Sequence, residues 1–158
     1  MAYQKLQGYR ALSVIPSDTI NIPNPAAVAA SGTADAPTGN QLVDAAVNFI
    51  NKNVKVGDVI YTTNQTPNVV AKVSSIVDAN TLGTTAALVT GATYVIYSQL
   101  NNSSDGCVLY VGTSGNLKVT TAAGDDVVFT NLPVGFFPIQ VLKIWATGTA
   151  AAGIIAIW

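Results

Sequence analysis

The chain has 158 residues, 49% hydrophobic and only 9% charged, with seven basic residues set against eight acidic ones for a net charge of −1. Soluble domains ordinarily devote about a quarter of their residues to charge; a disordered chain shows the opposite balance, and no apolar run reaches the roughly 18 residues of a membrane-spanning helix. There is no His, every acidic residue is Asp, and the cations are scattered singly, so the commonest general acid/base, the usual zinc ligand and a basic stripe for nucleic acid are all missing.

In chain order, Met1 to Leu12 is mostly polar and reads as an arm. It lacks the long apolar core of a secretory signal, and the single Cys107 offers no intramolecular disulfide, so synthesis in a host cytoplasm is expected. Ser13 to Ile22 predicts a short strand, a Pro16-Ser17-Asp18 turn and a second strand with Ile20 and Ile22 on one face. Pro23 and Pro25 end it. Ala26 to Gly39, rich in Ala, Ser, Gly, Thr and Pro, predicts a linker or extended loop.

The texture then changes. Leu42, Val43, Ala46, Val47, Phe49 and Ile50 recur at three- and four-residue spacings and predict one short helix. Val54 to Tyr61, Val69 to Val77, Leu82 to Leu88 and Thr93 to Tyr97 predict short strands separated by turn residues. Together they suggest a small β module, a partly open barrel. The polar loop Asn101 to Gly106 closes it.

After it, Val108 to Val111, Asn116 to Thr121 and Val127 to Thr130 predict a meander of antiparallel strands with Gly-containing breaks. Ile139 to Ala146 places Ile139, Val141 and Trp145 on one face and Leu142, Ile144 and Ala146 on the other, so both faces need cover. Ile154 to Trp158 predicts a last strand ending on a large apolar side chain.

Two stretches carry a resemblance: VIPSDTINIP near the start, and the run from Cys107 to Trp158 with Leu109 to Gly112, Gly115, Val119 to Thr121, Val128 to Pro133, Pro138-Ile139, Val141, Ala146 to Thr149 and Trp158. They resemble the spike base proteins of tailed bacteriophages and phage-derived gene transfer agents. The short chains of that family join the two parts almost directly, whereas this sequence carries Ala26 to Leu100 between them. The resemblance implies a virion protein on a capsid surface or vertex, with the major capsid protein as partner and a spike or fibre protein as a further one.

The expected fold is therefore mainly β: an antiparallel β-sandwich or jelly-roll-like domain from residues 1–25 and 100–158, with residues 26–99 inserted as the small β module. No residue stands out as catalytic, metal-ligating or cofactor-binding. Asp125-Asp126 after Gly124 suits a hairpin tip, Asp18 and Asp58 suit turns, and Cys107 has no His to activate it. Low charge together with Phe136, Phe137, Trp145, Ile155 and Trp158 suggests an assembly interface, since large aromatics dominate such contacts. The expected product is a homo-oligomer, a trimer, acting as a decoration, cement or spike-base protein. The alternative is a receptor- or carbohydrate-binding module of a phage fibre, with the aromatic cluster as a stacking platform.

Overall fold

The computed structural model describes residues 8–99 and 106–158, and no helix forms among them. The strands are β1 (Ala11–Ser13), β2 (Val28–Thr33), β3 (Gln41–Val43), β4 (Val59–Thr62), β5 (Val70–Ile76) and β6 (Thr81–Thr84). They continue with β7 (Thr93–Tyr97), β8 (Cys107–Val111), β9 (Gly115–Thr121), β10 (Asp126–Leu132), β11 (Gly135–Ile144) and β12 (Ile155–Ile157). The fold class is mainly β and sandwich-like, with two antiparallel six-stranded sheets, one of them curled into a half-barrel. The chain divides into two compact units, Met1–Pro25 with Ser104–Trp158 and Ala26–Ser103.

The sheet of the first unit runs β1-β12-β8-β11-β9-β10. The expected meander is thus corrected: β9 and β10 form a hairpin, but β11 lies between β8 and β9. The Gly-containing link after β8 does not close a tight hairpin because it is held against the loop before β12. Thr113 bridges Ala152, and a Cβ on Gly115 would sit 2.7 Å from the Ala151 nitrogen, a spacing only glycine satisfies.

β11 spans ten residues and serves two neighbours in turn. Its first half pairs with β8, its last residues with β9, and the register against β8 slips between Phe137 and Val141. Pro138 sits inside that slip. Proline has no ladder donor, so a proline in a central strand requires such a bulge. A second slip between Val141 and Lys143 brings Val141 and Ile144 into the same core. The two-faced strand expected over Ile139 to Ala146 is therefore a bulged strand whose phase changes midway.

The core of this unit gathers Leu109 and Val111 from β8, Leu117 and Val119 from β9, Phe137, Val141 and Ile144 from β11, and Ala156 from β12. Each large side chain hidden there contributes about 1.5–3 kcal/mol. Val14 and Ile22 close it from the N-terminal segment. Neither of the two strands expected there forms on its own residues: β1 ends at Ser13, the chain beyond it runs without a ladder and bends at Asp18 and Thr19, and Ser17 and Ile22 donate backbone N–H bonds to the carbonyls of Ile144 and Leu142 at 2.9 and 2.8 Å. The end of the predicted arm is instead a strand: β1 pairs with β12, and Arg10 and Trp158 exchange backbone bonds. Residues 1–7 of that arm, and most of the loop Asn101 to Gly106, lie outside the described residues.

The sheet of the second unit runs β2-β7-β4-β5-β6-β3 around Leu42, Phe49, Ile60, Leu82, Tyr94 and Ile96. The predicted helix is absent. Leu42 and Val43 belong to β3, and residues 44–53 form successive turns because polar side chains compete for the backbone. The Asp44 carboxylate accepts the Ala46 N–H at 2.9 Å and the Asn48 side chain accepts the Asn51 N–H at 2.9 Å. The Asn80 amide donates to the carbonyls of Asp44, Ala45 and Val47, drawing them out of any helical ladder. The apolar spacing had a different cause: Leu42 and Phe49 enter the core from a strand and from a turn.

The predicted linker is corrected as well, since β2 occupies much of it and pairs with β7. Its small residues are needed for space. A Cβ on Gly32 would overlap the Asp44 carboxylate and lie 2.8 Å from the Tyr94 hydroxyl.

Candidate interaction surface

Strand register places a row of side chains on the outer face of the first sheet. Ser13 faces Ile155, Ile155 faces Tyr110, and Tyr110 faces Phe136, while the alternate residues Leu109, Phe137 and Ala156 point to the core. A second row runs from Ala11 through Ile157 to Val108. Phe136 is 75% exposed and packs edge-on against Tyr110 with ring centroids 5.6 Å apart. Beside it Val134, Pro138 and Ile139 are exposed, the last two displaced by the β11 bulge. The result is an apolar patch with no charged residue among these positions, and Phe136 stands at its most exposed point.

The five residues expected at an interface are thus separated. Phe136 and Ile155 share the patch. Phe137 is turned inward, 5% exposed, with its ring 4.7 Å from that of Phe129 in a T-shaped contact, so it stabilises the core and contributes nothing to the surface. Trp158 is half-buried against the core, and its buried indole Nε1 has no hydrogen-bond partner among the described residues.

Trp145 lies in a polar constellation on the same sheet. The ammonium groups of Lys118 and Lys143 sit 3.9 and 3.6 Å from the ring centroid. Its indole N–H donates to the Thr120 hydroxyl at 3.0 Å, and that hydroxyl donates to Asp126 at 2.5 Å. A ring engaged by two cations is poorly placed to stack on a sugar. Of the four aromatic side chains expected to form a carbohydrate platform, Phe137 and Trp145 are engaged within the unit and Phe136 is exposed.

Of the Asp residues expected at turns, Asp125 and Asp58 lie in them, whereas the Asp18 carboxylate reaches a distant loop. The Asp125 N–H donates to the Thr121 hydroxyl at 3.1 Å at the β9–β10 hairpin. Asp58 accepts the backbone N–H groups of Lys55 and Gln99 at 2.8 and 3.0 Å. Asp18 accepts both donors of Thr147, and those bonds, the backbone one first, hold its carboxyl below the usual range. Among the described residues no group of three or more His, Cys, Asp or Glu could hold a metal. Burial pushes the Cys107 thiol up to about 12. Burial first, then the Asp44 carboxylate, raises the Tyr94 hydroxyl well above its ordinary value. An open depression of ≈ 260 Å³ in the second unit is lined by Ala26–Ala29, Lys52, Asn53 and Ser98, which supply one cation and one hydroxyl but no carboxylate or imidazole to activate it.

No family model, curated protein or solved structure matches the chain.

Sequence reasoning missed Tyr110, Pro138 and Ile139 as parts of the surface. A signal existed in Pro138, because a proline inside an apolar strand marks either an edge or a bulge. Which side of the sheet faced outward depended on the insertion of β11 between β8 and β9.

Proposed function

We propose that the chain is a structural protein of a tailed-phage virion, attached to the capsid surface in a decoration, cement or spike-base role through the outer face of its first sheet. The observation that carries this reading is Phe136, the exposed aromatic side chain of an apolar patch on a protein with so few charges. A patch of this kind favours a lasting contact over life in water. The likeness of VIPSDTINIP and the C-terminal run to spike base proteins supplies the partner: the major capsid protein, with a spike or fibre protein beyond it.

Aromatic anchors in the middle of an interface carry a disproportionate share of its energy, often 2 kcal/mol or more per side chain. The test is co-sedimentation with capsids of the encoding phage purified without this chain. The wild-type protein is expected to pellet with the particles, and Phe136→Asp is expected to stay in the supernatant while its melting temperature is unchanged. A wild-type chain that never pellets overturns the proposal, and so does a Phe136→Asp variant that pellets like the wild type.

A further inference from the structure

The longest strand at an edge of either sheet is β10, at the end of the first sheet. Its ladder with β9 fixes which backbone groups are free. Val128 faces Lys118, and the Lys118 carbonyl accepts from Trp145 on the β11 side. Val128 and Lys118 are therefore a non-hydrogen-bonded pair, in which the N–H and C=O of each residue point away from the other strand. The Asp125 carbonyl, one residue before the strand, accepts from Thr121 on the β9 side, which agrees with this alternation. The N–H and C=O groups of Asp126, Val128 and Thr130 thus face outward from the sheet.

Edge strands are ordinarily blunted by lysine, proline or brevity. β10 holds seven residues with no Lys and no Pro. Its side chains are open on both faces: Val127 on the core face is 38% exposed and Val128 on the outer face 47%. A cover that reaches both faces at once must lie in the plane of the sheet, and that cover is another strand. The slip between Phe129 and Leu132, with Asn131 at a φ of 51°, limits regular pairing to Asp126 through Thr130.

We propose that a second copy of this chain supplies the strand, by antiparallel pairing of β10 with β10 about a twofold axis at Val128. That register sets Val128 against Val128, Val127 against Phe129, and Asp126 against Thr130. The only charged residue of the strand meets a hydroxyl instead of its own copy, so the segment is complementary to itself. With two bonds per hydrogen-bonded pair, the outward groups form about six hydrogen bonds across the axis. The assembly is a dimer with a continuous sheet, in place of the trimer expected from the sequence. It uses a different part of the sheet from the Phe136 patch and does not depend on capsid attachment.

Sedimentation equilibrium of the full chain gives the first test: the wild type is expected at twice the chain mass. Val128→Lys places two ammonium groups face to face at the axis and should return the protein to single-chain mass with an unchanged strand signature in circular dichroism. Val128→Cys should form a covalent dimer under mild oxidation, since opposed residues of a hydrogen-bonded pair lie about 5.5 Å apart, whereas Ala123→Cys at the nearby hairpin tip should not. A monomeric wild type, a trimer, an unaltered mass for Val128→Lys, or cross-linking no faster for Val128→Cys than for Ala123→Cys would each overturn the proposal.

Discussion

Asp18 grips Thr147 with both carboxylate oxygens: the Thr147 backbone N–H donates to Oδ1 at 2.9 Å and its hydroxyl to Oδ2 at 2.7 Å. The two stretches that carry the phage resemblance, one near each end of the chain, are joined at this point. Lys143 adds a bond from its ammonium to the Asp18 carbonyl at 3.3 Å. The clasp ties the N-terminal segment to the end of β11 and the loop that follows.

A pH dependence follows from this clasp. The folded carboxyl is held below its ordinary value of 3.8, so its contribution is fully present above that value and is lost as pH falls through the depressed folded pKa. Asp18→Asn should lower the melting temperature at neutral pH, and the difference from wild type should close in strong acid. Thermal melts across the acid range check this. A difference that grows toward low pH would contradict the sign.

In the second unit the Tyr94 hydroxyl donates to Asp44 at 2.7 Å, and both residues are buried. Tyr94→Phe removes a donor from a buried carboxylate and should cost about 1.5–3 kcal/mol. Gly32→Ala forces a methyl into the same space and should cost about 1–3 kcal/mol. Because both changes act on one cluster, the double variant should lose less than the sum of the two. Urea unfolding of the two single variants and the double variant measures the coupling.

The Cys107 thiol donates to the Val141 carbonyl at 3.5 Å and is buried. With its pKa pushed up to about 12, only about one thiol in ten thousand is ionised at pH 8. Ellman's reagent should therefore leave the native chain unlabelled and react with it fully in denaturant. Rapid native labelling would mean that β8 opens at its N-terminal end.

The strand content was legible where side chains alternate, as in Val70 to Lys72, or where β-branched and aromatic residues cluster, as in Thr93 to Tyr97. Strand order was not legible. Nothing local in Gly112 to Gly115 distinguishes a hairpin from a chain held against Ala150 to Gly153, because the deciding contacts come from residues about forty positions away. The false helix had a similar origin, since apolar spacing around Leu42 and Phe49 records burial alone, whereas Asp44, Asn48 and Asn80 set the backbone by hydrogen bonds that periodicity does not register. Of the candidate surface, Phe136 was readable as a large aromatic side chain. Its separation from Phe137 depended on the register with Tyr110 and Leu109.

The two units should separate. Residues 26–99 begin and end on paired strands: Val28 faces Tyr97, and the Ser98 N–H donates to the Ala27 carbonyl at 2.7 Å, so the ends of this segment are neighbours. Among the described residues its core draws on none of the first unit, and the first unit's core draws on none of its residues. Near 75 residues a single core supplies about 3–5 kcal/mol, so the isolated segment should unfold cooperatively but at modest urea concentration. The complementary chain, with residues 26–103 replaced by a short Gly-Ser linker, should retain the Asp18–Thr147 clasp and the acid-dependent loss of stability it confers. Urea titrations of both pieces give the answer. A broad, non-cooperative transition in the isolated segment would show that its core depends on the unit that carries it.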